Sequence, residues 1–193
     1  MVAVAALLLG WANWPITRTT QTARLHLIAP ASWDASVIRN INETPFDSTL
    51  TLPKSIKTGQ TGQYQIVLEG LPASIAAAGV TWQMHIRSEL ILPGFINKQE
   101  GMLSQAVQDE KPLRFDWYVS ANADRRSTGV LRIYVDYISP AGETDSHLLS
   151  VTDLELTSTS LIGLSTIGVT SLAVALLLLA GLAGGLASSR ARA

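Results

Sequence analysis

The sequence predicts a two-layer all-β domain, outside the cytoplasm, flanked by membrane helices. Three observations lead there. Apolar and polar residues alternate along most of the middle of the chain, from about Arg24 to Thr157. No charged residue lies between Glu155 and Arg190, and that stretch is strongly apolar. The chain also opens on an apolar run, "MVAVAALLLGWANWPITR".

The totals agree with this division. A length of 193 residues suits one ordinary domain plus one or two membrane segments. Hydrophobic residues make up 47% and charged residues only 15%, with a mean hydropathy of +0.25. Soluble domains carry about 25% charged residues, and here the deficit is concentrated at the two ends. The net charge is −1 and no basic block occurs, which argues against nucleic-acid binding through a cationic face. The absence of cysteine excludes disulfides, thiolate metal sites and cysteine nucleophiles. The domain must be held by its core alone, and about 130 residues between the apolar ends suffice for that.

The first element, residues 1–17, reads as an N-terminal membrane anchor. As a helix, Val2 to Ile16 would extend about 22 Å at ~1.5 Å per residue, short of a ~30 Å hydrocarbon layer. A secretory signal has a positive n-region and a small-residue cleavage site. Here no Lys or Arg precedes the run, and no clear cleavage site follows Trp14. Trp11 and Trp14 read as membrane-interface residues, Pro15 as the helix stop and Arg18 as the first residue in water. The run is read as the outer part of a membrane helix whose natural start lies upstream, with a signal segment as the alternative.

The β domain, residues 18–157, is read from its alternation. "VTWQMHIRSEL" sets Val80, Trp82, Met84 and Ile86 against Thr81, Gln83, His85 and Arg87. "LRFDWYVS" sets Leu113, Phe115, Trp117 and Val119 against Arg114, Asp116, Tyr118 and Ser120. "GVLRIYVDYI" does the same with Leu131, Ile133, Val135 and Tyr137. Period two marks a strand with one buried face. "RLHLIA", "STLTLP", "GQYQIVLEG" and "HLLSVTDLEL" fit the scheme, and "KTGQTG" and "SPAGETD" supply turns. "ANADRRSTG" reads as a hairpin loop with Arg125 and Arg126 at its tip, facing solvent, lipid headgroups or an acidic partner. Two stretches lack the period. "APASWDASVIRNINETPFD" predicts a loop over one end of the sandwich or a short helix near Ser36–Asn40. "LPGFINKQEGMLSQAVQDEKP" predicts a short helix around Met102–Gln108.

About seven short strands separated by polar turns indicate a β-sandwich. Their spacing resembles immunoglobulin-like modules in architecture alone, because no Cys–Trp–Cys frame is present. Trp82 and Trp117 are expected in the core.

Residues 158–187 predict a transmembrane helix and 188–193 a short cytoplasmic tail. The apolar core from Leu161 to Leu186 exceeds the ~20 residues a helix needs to cross. Glu143, Asp145, Asp153 and Glu155 lie upstream, while Arg190 and Arg192 lie downstream. The positive-inside rule then puts the C-terminus in the cytoplasm and the β domain outside it. Arg18 and Arg24 pull the other way, but the C-terminal span is longer and its asymmetry cleaner. Ala180, Gly181, Gly184 and Gly185 form small-xxx-small pairs suited to helix packing.

No chemistry is legible. His26, His85 and His147 fall in separate segments without metal-ligand spacing. There is no G-x-S-x-G elbow, and "GQTG" lacks the Lys-Ser/Thr ending of a phosphate loop. Asp116 and Asp136 alternate with arginines, as cross-strand charge pairs do. No catalytic, cofactor-binding or metal residue is assigned. The sequence reading is a non-catalytic accessory subunit, in contact with membrane lipid and with other membrane protein subunits. The alternative is a surface module that binds a glycan or a protein; a tethered hydrolase comes last.

Overall fold

The computed structural model describes residues 1–190 apart from positions 78, 100, 110 and 162, and only the backbone over 184–190. Helix α1 (Val2–Asn13) leads into β1 (Arg18–His26). A connection carrying α2 (Ala35–Asn42) follows, then β2 (Pro45–Pro53), β3 (Ser55–Lys57), β4 (Thr61–Glu69), β5 (Ser74–Ala77) and β6 (Val80–Ile91). Next come β7 (Ile96–Asn97), β8 (Met102–Ala106), β9 (Leu113–Ser120), β10 (Arg125–Ile138), β11 (Thr144–Thr159) and α3 (Thr166–Arg190).

The strands form two sheets. The first has the order β1-β2-β4-β9-β7, and the second β3-β11-β10-β6-β5, with β8 also on β6. Neighbours are antiparallel except β3, which runs parallel to the end of β11. Strand β9 alternates buried residues with exposed or half-buried ones, and β4 alternates half-buried with buried ones up to Leu68. Their inner faces meet those of β6, β10 and β11 in a single apolar cluster that includes Phe46, Tyr64, Ile66 and Trp117 from one sheet and Met84, Ile86, Val135 and Leu156 from the other. Trp117 is fully enclosed and stacks on Phe115, with ring centroids 6.2 Å apart. Trp82 is half-buried against Trp33 at the end of the sandwich that carries α2. The protein is therefore mostly β, in two sheets packed as a sandwich.

Six of the seven long strands (β2, β4, β6, β9, β10 and β11) coincide with alternating runs, whereas β1 begins at Arg18 and shares only Arg24, Leu25 and His26 with "RLHLIA". The described residues contain eleven strands rather than about seven, because β3, β5, β7 and β8 are added as short pieces. They are two to five residues long, too short to show a period.

Three local readings meet the structure differently. The segment near Ser36–Asn40 is helical, as α2. The helix expected around Met102–Gln108 is instead strand β8, paired with His85–Glu89 of β6. Leu103 and Val107 have helical spacing, but β6 offers an unpaired backbone edge there, and those groups need partners. Val107 N–H also donates to the Met84 carbonyl at 2.9 Å. Finally, residues 121–124 do not close a hairpin: β9 belongs to the first sheet and β10 to the second, so the segment crosses between layers. Arg125 and Arg126 open strand β10 rather than sit at a loop tip.

Helix α3 contains the one described span, Thr166–Ala183, that is long and apolar enough to cross a membrane, with a mean hydropathy of 2.2. Its 25 residues extend about 37 Å at ~1.5 Å per residue.

Candidate functional site

The feature that distinguishes this molecule from a plain sandwich is the way its two apolar helices attach. Helix α1 enters the sandwich at β1, α3 leaves it after β11, and the two pack side by side in opposite senses. On α1 the enclosed or half-enclosed residues are Ala5, Leu8, Leu9, Trp11 and Ala12; on α3, among the described side chains, they are Thr166, Gly168, Val169, Ala173, Leu176 and Ala180. Both sets follow helical spacing and form a stripe. Alanines at the contact let the two backbones approach closely.

The turn between β3 and β4 holds both helices. Helix α1 ends with carbonyls that have no helical partner. Lys57 at the end of β3 supplies one: its Nζ donates to the carbonyls of Trp11 (2.5 Å), Trp14 (2.6 Å) and Ala12 (3.3 Å). A cation is also favoured at the negative end of the helix dipole. The same ammonium lies 5.2 Å from the centre of the Trp11 ring, a cation–π contact. Burial at this junction lowers the Lys57 pKa from its usual value.

The next residue holds the other helix. The Thr58 carbonyl accepts from the Thr166 N–H at 2.8 Å and from Thr166 Oγ1 at 3.2 Å. Thr58 N–H donates to the Thr159 carbonyl at 2.9 Å. Its hydroxyl donates to Asp124 at 3.1 Å, and Ser160 Oγ donates to the other carboxylate oxygen at 2.8 Å. Gly59 has φ +83°, and a Cβ there would come within 3.1 Å of Ser165. Both facts call for glycine. Ser165 caps α3 by accepting from the Gly168 N–H at 3.2 Å. Lys57, Thr58 and Gly59 thus form a collar between the helices and the sheets.

The residues singled out from the sequence fall as follows. Trp11 is half-exposed on the Lys57 ammonium, and Trp14 is exposed beside it. Ala180 closes the α3 stripe, whereas Gly181 faces open space. Gly184, Gly185 and Arg190 lie in the part of α3 described by its backbone, and Arg192 lies outside the described residues. Arg125 donates to the Gly94 carbonyl at 2.5 Å. Arg126 pairs with Glu155 across β10 and β11. Its hydrogen bond to Glu155 raises the Arg126 pKa and lowers that of Glu155.

Other charges serve the sheets. Asp136 takes Arg87 from β6 at 2.5 Å, and Glu89 takes Arg132 at 3.5 Å. Asp116 accepts from Gln65 (2.7 Å), Gln63 and Arg114 (both 2.9 Å). Burial would raise its pKa, but these hydrogen bonds and the Arg114 charge outweigh it and hold the carboxyl below its usual range. His147 meets Asp145 at 3.0 Å. Among the described residues no three metal-ligating side chains converge. A groove of about 600 Å³ between α2 and β5 is lined by Val37, Ile41, Ile75 and neighbours, none of them charged.

In the sequence Lys57 and Thr58 are only part of the turn "KTGQTG". The available signal was a single lysine between apolar strands, with no local pattern to say that it reaches a helix 43 to 46 residues away. No protein-family model matches the chain, and no match is found among curated proteins.

Proposed function

We propose that the protein is a non-catalytic, membrane-anchored accessory subunit of a larger membrane protein complex. Its β domain covers an extracytoplasmic surface of that complex, its helices lie in lipid against other subunits, and its C-terminus faces the cytoplasm. The two-helix anchor and the immunoglobulin-like description of the sandwich belong to the same proposal.

The observation that carries it is the collar. A tether for a surface-binding module works with a loose linker, because the module needs only to stay near the membrane. Here α3 starts within seven residues of the end of β11, and its first residue is bonded to Thr58. Helix α1 is fixed by three bonds from Lys57. Such attachment sets the tilt of the sandwich relative to the helices, which serves a subunit that must fit neighbours both in lipid and above it. The outward face of α3, including Gly181, is open to such a neighbour.

The test is mild solubilisation of the native membrane followed by size separation and identification of co-migrating chains. Co-migration with other membrane subunits is expected. Recovery of this chain alone, in any copy number, counts against the proposal. A glycan and protein screen on the isolated sandwich addresses the alternative of a binding module.

A further inference from the structure

The sandwich has a side at which two strand edges are open. In the first sheet β1 pairs with β2 along all nine residues and is the last strand. In the second sheet β3 covers only Thr157–Thr159 of β11, which leaves the outer edge of residues 144–156 free. The two strands approach each other there. Free edges recruit other strands, and proteins blunt them with charged side chains, Pro or a bulge. Strand β1, RTTQTARLH, has no Pro and no register shift in its ladder with β2, and its charged side chains are Arg18 and Arg24. Strand β11 is irregular at Leu149, but residues 150–156 run regularly below it, and Val151 is 52% exposed.

The charges of the two edges are complementary. Strand β1 carries Arg18 and Arg24 and no carboxylate, whereas β11 carries Asp145, Asp153 and Glu155 and no Lys or Arg. Leu25 lies opposite Phe46, and Ala23 opposite Ser48, both inward-facing positions of β2. Arg18, Thr20, Thr22 and Arg24 therefore lie on the outer face. Leu154 and Leu156 are buried, so Val151, Asp153 and Glu155 are on the outer face too. Among the described residues Arg24 and Asp153 have no ion-pair partner.

We propose that the protein forms a two-fold dimer in which β1 of each copy adds to the free edge of β11 of the other. A two-fold axis along the strands preserves their directions. Strand β1 runs away from the helix end and β11 returns to it, so the new pairs are antiparallel. The first sheet of one copy continues into the second sheet of the other with outer faces on the same side; with Thr22 opposite Val151 the whole of β1 stays clear of β3, Arg18 falls opposite Glu155 and Thr20 opposite Asp153. The contact is self-complementary, as a closed dimer requires, and all four helices leave at the same end, as a single membrane requires.

The test uses the full chain in detergent micelles, with detergent-corrected mass measured against concentration. The expected mass is twice 20.7 kDa. Arg18→Glu and Glu155→Arg should each weaken the dimer by about tenfold or more, and the double variant should restore it. The natural chain has no cysteine, so the double variant Thr22→Cys, Val151→Cys should form a covalent dimer on oxidation. A monomeric wild type overturns the proposal, and so does a dimer indifferent to both charge changes. A different protein captured at Thr22→Cys in place of a second copy also overturns it. The dimer does not rest on the accessory-subunit reading, since either can fail without the other.

Discussion

Between the sheets, Trp117, Phe115 and Tyr64 are fully buried in an apolar cluster drawn from both layers. At the helix end, Lys57 and Thr58 hold two helices through five hydrogen bonds to or from backbone groups. The first region gains from area removed from water, which is non-directional and tolerant of small shifts. The second depends on donors placed opposite particular carbonyls, and it loses them if the turn moves by an ångström. The core should therefore set whether the domain folds, and the collar how the folded domain sits on its helices.

Five substitutions separate the two regions. The largest effect is expected for Trp117→Ala, which empties the centre of the core: about 3–5 kcal/mol lost in urea unfolding of the full chain. Gly129→Ala follows. A Cβ there would collide with the Ile91 carbonyl oxygen and stand 2.7 Å from the Leu92 side chain, and forcing β10 from β6 should cost about 1–3 kcal/mol by the same measurement.

Lys57→Met should spare the core and loosen the collar. Its expected cost is about 1–2 kcal/mol, read as faster amide exchange in α1 and around Trp14 with little change at β4 and β9. Equal acceleration in the sheets would erase the division drawn here.

Asp116 supplies a pH test. Its folded pKa is depressed, so its contribution is present above the unfolded carboxylate value and is lost as pH falls through the folded one. Wild-type stability should fall on acidification, and Asp116→Asn should flatten part of that fall. The side chain is 25% exposed, which keeps the difference below about 1 kcal/mol. Comparing unfolding midpoints of the two chains at neutral and acid pH gives the answer. Least of all is expected of Arg126→Ala. Arg126 and Glu155 are an exposed pair, and water and salt screen such pairs, so the midpoint should stay where it is.

Much of the sandwich was legible because β6, β9 and β10 repeat every two residues over eight or more positions; β1, with TTQT in its middle, does not. The inward placement of Trp117 follows from "LRFDWYVS" alone, while its sheet is set by the pairing of β9 with β4. Segment 102–108 misled because Leu103 and Val107 satisfy a helical spacing while the deciding influence, the bare edge of β6, lies elsewhere in the chain. Residues 121–124 misled for a related reason: a polar turn looks the same whether it closes a hairpin or crosses between sheets. The collar escaped notice because a lysine's reach is a matter of tertiary placement.

Hydropathy by itself determined that α3 is apolar over a membrane's thickness, and alternation determined which residues of the long strands face inward. Both are periodic properties of neighbouring residues, so they survive without knowledge of the rest of the chain. Only the tertiary structure decided that the opening run lies along α3, that Lys57 and Thr58 bind the helix pair to the sandwich, and that β1 and β11 share an open side. Those outcomes join residues more than 150 positions apart in the chain, since α1 ends at Asn13 and α3 starts at Thr166, and such contacts form only when the whole fold brings them together.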